Sequence, residues 1–277
     1  MMPIFPSTDA SQGRAIQQFY DAFAPFYDDF HELIDYAEWA AIILRQLDEL
    51  LPRPYRLLEI GCGTGAMLEQ LMRLSNQSCV GLDLSRGMLQ QCQQKFTSGR
   101  KPVLVQGDMM ALGFQANSFE AIVGTFSLLN MYQATSRIVL LQGIRRVLKP
   151  NGIFLTDFFT INRYHQLLQE SSAGEETSYS DAAFKIQQTL LEITDTKLDT
   201  VAQGTELQDR YIIERTLTLQ NHSIHKRLYF LDPQQVEFEF QKVGFQIIKI
   251  TPLVPDISVA DAPGAQPNRI MLVGRKP

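Results

Sequence analysis

Residues 57–65 read Leu-Leu-Glu-Ile-Gly-Cys-Gly-Thr-Gly. An apolar run passes straight into three glycines at alternate positions, Gly61, Gly63 and Gly65, and then into a helical stretch. Glycine takes backbone angles closed to other residues and lets a ligand approach the main chain. The helix start beyond it offers free N–H groups to a carboxylate or a phosphate. Glu59 stands two residues before the first glycine. There it would repel a pyrophosphate and attract an ammonium or a sulfonium. Asp83 ends the next apolar run, 18 residues after Gly65, where a carboxylate can hold both ribose hydroxyls of an adenosyl group. Asp108 follows the third run in the same way. Taken singly, each aspartate reads equally well as a helix cap; their placement after consecutive strands favours a ligand. Cys62 reads as a small residue whose backbone matters. The looser dinucleotide pattern Gly-x-Gly-x-x-Ala is also met, through Gly61, Gly63 and Ala66. On this stretch alone a nicotinamide-dependent oxidoreductase therefore stays open.

Such residues need a scaffold that brings strand ends together. Residues 56–60, 78–82, 102–106, 119–126 and 153–158 read as strands, with helices over 66–74, 85–96 and 134–148 between them. Repeated strand–helix units predict an α/β fold: a doubly wound, mainly parallel Rossmann-like sheet with helices on both faces. Ligands of such sheets sit outside the carboxyl ends of the strands. Ahead of it, residues 13–24 read as a helix stopping before Pro25, and 35–51 as an amphipathic helix ended by Pro52 and Pro54. After Phe158 the rhythm breaks. A helix over 162–169 and a polar loop over 171–181 precede β-like runs at 184–193, 206–219 and 224–231, the last two joined by a hairpin turn at Gln220–Asn221–His222–Ser223. These predict an antiparallel hairpin or small sheet inserted after the fifth strand. The α/β pattern then resumes, with a helix from Asp232–Pro233 to Val243 and strands over 244–253 and 270–274, separated by a loop over 255–267. The expected division is N-terminal helices over 1–54, the sheet domain over 55–159 and 232–277, and an insertion over 160–231 that acts as a lid or as a dimerisation arm.

Composition narrows the partners. The chain has 277 residues, 45% of them apolar, enough for a sizeable core. Its net charge is −5, and its densest basic cluster, Arg145, Arg146 and Lys149, reads as a solvated helix end. No basic stripe for a nucleic acid is visible. The first ten residues do not resemble a signal peptide, and no apolar run approaches a membrane span. Cys62, Cys79 and Cys92 form no Cys-x-x-Cys pair, and no metal-ligand spacing is present. A cytoplasmic protein, monomer or homodimer, is the expectation.

Five stretches occur in order: Glu59-x-Gly61-x-Gly63-x-Gly65; Gly81-Leu-Asp-Leu-Ser85 with Met88-Leu89; Gln106-Gly-Asp-Met109; Phe119 to Ser127; and Arg145-Arg-Val-Leu-Lys-Pro-Asn-Gly152. Together they resemble the motifs of class I S-adenosylmethionine-dependent methyltransferases, over roughly residues 55–157. The resemblance implies that Gly61, Cys62, Gly63 and Gly65 line the methionyl part of the cofactor, and that Glu59 holds the loop or faces the ammonium. It implies that Asp83 binds the ribose, that Leu84 and Met88 pack near the adenine, that Asp108 accepts from the adenine amino group, and that the Met109 backbone meets the ring. Thr125 and Phe126 would flank the methionyl chain. Tyr20-Asp-Ala-Phe-Ala-Pro-Phe-Tyr27-Asp-Asp resembles a segment that forms helices over the cofactor in small-molecule and sugar-modifying members, so Tyr20 or Tyr27 would reach its carboxylate. An amphipathic helical face is the equally weighted reading of these aromatics. The Asp/Asn-Pro-Pro-Tyr/Phe signature of enzymes acting on nucleobases and amides is replaced by Thr125-Phe-Ser-Leu128.

The implied activity is methyl transfer to an oxygen or nitrogen of a small-molecule metabolite by in-line displacement, leaving S-adenosylhomocysteine. Alternatives are a protein or peptide methyltransferase and a non-catalytic cofactor-binding module. Expulsion of a neutral thioether from a cationic sulfur needs no acid, so alignment and exclusion of water are the main tasks. A base is needed only if the acceptor must lose a proton. Tyr27, His31, Tyr132 and Tyr211 are the side chains that could take it.

Overall fold

Apolar runs ended by glycine or aspartate form the central strands, and the amphipathic runs between them form the helices that cover the strands. The computed structural model describes residues 10–171, 178–181, 184–187, 191–192, 211–219, 222–253 and 267–277. Helices α1 (Ala10–Phe23), α2 (Tyr27–Phe30) and α3 (Tyr36–Leu50) lead into β1 (Arg56–Ile60), α4 (Ala66–Leu74), β2 (Ser78–Asp83), α5 (Arg86–Lys95) and β3 (Val103–Gln106). β4 (Phe119–Gly124), α6 (Ala134–Val147) and β5 (Leu148–Phe159) complete the parallel part. α7 (Ile161–Ser171) is followed by β6 (Ser178–Asp181), β7 (Phe184–Gln187), β8 (Leu191–Glu192), β9 (Tyr211–Leu219) and β10 (His222–Phe230). α8 (Pro233–Val243), β11 (Gln246–Pro252) and β12 (Arg269–Arg275) close the chain.

The main sheet has seven strands in the order β11-β12-β5-β4-β1-β2-β3. β1 to β5 are parallel, while β12 runs antiparallel to both β5 and β11. Period-two alternation sends Leu57, Ala121, Val123 and Leu155 to one face, where they meet Trp39 and Ile43 of α3 and Leu68 of α4. Leu58, Ile122 and Phe154 point the other way, onto Ile144 of α6 and Phe240 of α8. The fold class is therefore the doubly wound α/β arrangement. Between α6 and α8, fully buried Arg137 and Glu239 pair through two bonds of 2.7 and 2.6 Å. Arg137 also donates to the Tyr132 carbonyl at 2.6 Å.

A second, antiparallel sheet contains β10-β9-β7-β6, with β8 beside β9. Its root is bonded to the main sheet: Leu231 N–H donates to the Phe159 carbonyl at 3.1 Å. Further out, Ile224 of β10 is buried with Phe19 and Phe23 of α1 and Met88 of α5.

α1 ends at Phe23, ahead of Pro25 as expected, and Pro25 sits in the first turn of a short 3-10 helix, Ala24–Phe26, where its missing N–H costs nothing. Three local expectations change. Residues 149–152, left between the expected helix and the strand starting at 153, are absorbed into β5, with Asn151 at φ +62° and a shifted register between Phe119 and Ala121. Residues 178–181, expected as loop, pair with β7, and His222 and Ser223 of the expected turn pair with Leu219 and Thr218. Gln220–Asn221 and most of the 255–267 loop lie outside the described residues.

Candidate active site

The glycine turn is built on the end of β2. Gly61 and Cys62 N–H both donate to the Leu82 carbonyl, at 2.8 and 3.0 Å. Gly61, Gly63 and Gly65 all have positive φ, +70°, +53° and +79°, so side chains there are strained. They differ in surroundings. A Cβ on Gly65 would lie 2.2 Å from Cys92 Sγ, whereas the nearest atom to one on Gly63 is Tyr27 Cε1 at 4.0 Å. Gly65 is thus a packing glycine, and Gly63 borders the open cleft. Cys62 is buried, its thiol donates to the Gly63 carbonyl at 4.0 Å, and the neighbouring Cys92 thiol and burial push its pKa well up, which makes it a poor nucleophile.

Two carboxylates stand on this turn. Asp83 accepts from Gly63 N–H through Oδ2 and from Ser85 N–H through Oδ1, both at 2.8 Å. Burial raises its pKa against the downward pull of these N–H groups. Glu59 is 3% exposed, and its Oε2 is buried with no hydrogen-bond partner. Burial pushes its pKa well up, with Cys92 and Asp83 adding to the rise. An unpaired buried carboxylate is costly. One beside three left-handed glycines fits a cationic ligand group.

The N-terminal segment forms one wall. Asp21 accepts from Ser85 Oγ at 2.6 Å and Gly87 N–H at 2.7 Å, which fixes α1 to the start of α5. Asp28 pairs with Lys95 and accepts from Thr64 Oγ1 of the glycine turn. The neighbouring tyrosines thereby gather over the cleft. Burial holds the Tyr27 hydroxyl protonated far above its ordinary range, and Tyr20, Tyr36, Asp83 and Asp28 add to this. Tyr36 is pushed up to about 12 by burial and then by Asp28 and Glu59. Tyr132 is raised by burial, then by Asp108, Tyr20 and Asp83. At neutral pH these three hydroxyls are donors, suited to an anionic ligand group and unsuited to act as bases. His31 Nδ1 lies 2.8 Å from the Tyr27 carbonyl, and its ring packs on that of Tyr27 at 4.2 Å.

The opposite wall is the exit of β4. Thr125 is buried, and Phe126 and Ser127 both adopt left-handed angles, φ +59° and +62°. Phe126 packs between Tyr36 and Trp39, at 5.4 and 5.1 Å. Beyond them, Leu128 Cδ1 would be 3.3 Å from a Cβ on Gly61, and Met109 Cε 3.4 Å. Asp108 is exposed and caps the turn Met109–Ala111 through Met110 N–H at 2.8 Å. Leu84 is half-buried, and its carbonyl accepts from Gln106 Nε2 at 3.2 Å.

Tyr20, Tyr27, Glu59, the three glycines, Asp83 and Thr125–Phe126 are therefore brought to one end of the sheet. Two expected residues go elsewhere. Met88 is buried in the α1 cluster with Phe19 and Phe23. Tyr211 packs with Tyr164, His165 and Phe230 in a separate aromatic group. Asp21, Asp28 and Tyr36 were not singled out in the sequence. The first two follow directly after Tyr20 and Tyr27, so the repeated Tyr-Asp pair was the available signal.

A central β1 with a glycine turn, an acidic residue ending β2 and a third strand beside it define a Rossmann-like domain. A family model described as a methyltransferase domain matches residues 57–152. The Bacillus subtilis (strain 168) protein YqeM, whose name includes the term methyltransferase, is 26% identical over 263 residues, spanning 93% of this chain and 97% of its own length. The malonyl-[acyl-carrier protein] O-methyltransferase of Halorhodospira halophila is 30% identical over 155 residues. That match spans 56% of this chain and 51% of the relative, about half its length. The structure of an S-adenosylmethionine-dependent methyltransferase from Clostridium acetobutylicum superposes with a TM-score of 0.66 at 19% identity, over 93% of this chain and 98% of that one. Residues 57–152 thus match a methyltransferase domain, and the whole chain shares its fold with an S-adenosylmethionine-dependent methyltransferase.

Proposed function

We propose that the protein binds S-adenosylmethionine in the cleft over β1, β2 and β4 and transfers its methyl group to an oxygen or nitrogen of a small-molecule acceptor in the cytoplasm. The observation that carries this reading is the buried, partly unpartnered Glu59 carboxylate beside a turn whose Gly63 N–H is held by Asp83. When bound, the cofactor supplies a methyl carbon on a cationic sulfur. Glu59 would face its ammonium, Gly61, Cys62 and Gly63 would leave room for the methionyl chain while Gly65 packs the turn onto Cys92, and Asp83 would hold the ribose with the lone pairs not used by Gly63 and Ser85. Asp108, Leu84 and the Met109 backbone border the adenine. The Tyr20 and Tyr27 hydroxyls donate to the carboxylate. Phe126, Tyr36 and Trp39 exclude water from the methyl side. A pyrophosphate would sit against the unpaired Glu59, which disfavours a nicotinamide dinucleotide. The net charge of −5 disfavours a nucleic-acid acceptor, and the Halorhodospira relative, by its name, methylates an oxygen.

The test is titration calorimetry with S-adenosylmethionine, S-adenosylhomocysteine and NAD, followed by release of S-adenosylhomocysteine across a panel of hydroxyl, carboxyl and amine acceptors. Binding of both adenosyl thioether ligands and none of NAD is expected. Binding of NAD alone would overturn the proposal. Binding without turnover on any small molecule, but with turnover on peptides, would move the acceptor to a polypeptide.

A further inference from the structure

The turn that leaves β4 is strained, and the structure shows what holds it. Two successive non-glycine residues, Phe126 and Ser127, have φ of +59° and +62°, a conformation that is uncommon outside glycine and unfavourable for side-chain-bearing residues. Ser127 N–H donates at 3.0 Å to Oδ2 of Asp157, a fully buried residue of β5. The same Oδ2 accepts from Nε and from a terminal nitrogen of Arg269 on β12, both at 2.7 Å. The Arg269 guanidinium is fixed in turn by aromatic faces: its Cζ lies 4.6 Å from the Trp39 centroid, 4.8 Å from Phe159 and 5.8 Å from Phe126. One residue past Ser127, Leu128 lies beside Gly61, its Cδ1 3.3 Å from where a Cβ on that glycine would stand. A continuous chain of contacts therefore runs from β12, through Asp157 and the strained turn, to the first glycine of the cofactor loop.

We infer that Arg269 is a positioning residue: it orients Asp157, Asp157 holds the left-handed Phe126–Ser127 turn, and the turn sets Thr125, Phe126 and the Gly61 backbone for the cofactor. This rests on the proposed cofactor site, since S-adenosylhomocysteine is the probe that reads it. The alternative is that Arg269 merely fills and neutralises the core around Asp157. The two differ in what relieves a defect. Glycine adopts a left-handed angle without strain, so Ser127→Gly relieves one of the two strained residues and lessens the need for the turn to be held, but does nothing for a disturbed core.

The experiment measures the dissociation constant for S-adenosylhomocysteine by calorimetry, with a melting scan for each variant. Arg269→Lys keeps the charge opposite Asp157 and loses the planar fork and the stacking. Its affinity should fall about tenfold, and Arg269→Lys combined with Ser127→Gly should return to within about threefold of the wild type. Asp157→Asn retains an oxygen for Ser127 while releasing Arg269, and carries the same comparison should Arg269→Lys fail to fold. Wild-type affinity in Arg269→Lys, or a double variant that folds but binds no better than the single one, would overturn the inference. Absence of binding by the wild type would instead overturn the cofactor reading.

Discussion

Glu59 joins two expectations of opposite sign. Its carboxyl is buried and its pKa is pushed well up, so the folded protein holds a proton that the unfolded chain releases. Stability must then fall as pH rises from the ordinary carboxyl value toward the folded one. Glu59→Gln removes this linkage. It should flatten the decline above about pH 5 and raise the Tm of the ligand-free protein at pH 7.5 by about 2–4 °C, the shift expected for ~1 kcal/mol in a chain of this size. The same change removes the counter-charge for an ammonium, so affinity for S-adenosylmethionine should drop by at least tenfold. Scanning calorimetry from pH 5 to 8 and binding titrations read both; a lower Tm with unchanged affinity would take Glu59 out of the site. The glycines separate in a similar way. A methyl on Gly65 meets Cys92 Sγ at 2.2 Å, so Gly65→Ala should cost several kcal/mol by overpacking and left-handed strain, about 1–3 for the first and 1–2 for the second. Gly63→Ala meets no neighbour closer than 4.0 Å; it should cost only the strain in stability, about 1–2 kcal/mol, and lose cofactor affinity. Urea unfolding of the two variants, compared with their binding, shows whether the distinction holds.

At the scale of elements, two aspartates fasten the N-terminal helices to the cofactor loop, and they should not be equivalent. Asp21 accepts from Ser85 and Gly87 at the start of α5, and Gly87 approaches α1 so closely that a Cβ would lie 2.8 Å from the Asp21 backbone. Asp21→Ala should destabilise the protein by about 1–2 kcal/mol, as loss of a helix cap does. Asp28 and Lys95 are partly exposed, 46% and 22%, and such a pair contributes little to stability. Asp28→Asn should leave the Tm nearly unchanged, speed cofactor release in stopped-flow measurements, and reduce the salt dependence of that rate. Neither contact could be read from the sequence, because their partners lie 36 to 67 residues away and side-chain bonds to backbone N–H groups leave no periodicity. The parallel strands and their helices were legible for the opposite reason: each is a local apolar run with its own stop signal, and Glu59 and Asp83 lie at such stops. The exit of β4 was not. The apolar run suggests a strand to Phe126, but β4 ends at Gly124. Thr125-Phe-Ser127 contains none of the glycine or asparagine that announces a left-handed turn. What permits that turn is Asp157, supported by Arg269 from 112 residues further along.

For the whole molecule, the question is what the antiparallel sheet contributes to a site built at the edge of another sheet. The described contacts connect the two through α1. Ile224 of β10 is 5% exposed and shares one cluster with Phe19, Phe23 and Met88. Phe23 packs on Tyr27 at 5.4 Å, and Tyr27 stands over Gly63. Asn130, just after the strained turn, donates to the carbonyls of Tyr229 and Phe159 at 2.6 and 2.9 Å. The hairpin thus supports both walls of the cleft, which favours a lid-like role over a free dimerisation arm. Ile224→Ala should loosen the α1 cluster by about 2–4 kcal/mol. Because that cluster is peripheral to the main core, the loss should appear first as faster amide exchange in Ala10–Phe23 and as weaker binding of S-adenosylhomocysteine, about tenfold, with the mass by light scattering unchanged. A change of mass with α1 exchange and affinity as in the wild type would show that β10 serves an interface between copies. The lid role predicts one further coupling. If the hairpin and the cofactor both order α1, saturating S-adenosylhomocysteine should slow exchange in β10 as well as in α1, since two groups stabilised by the same element must stabilise each other.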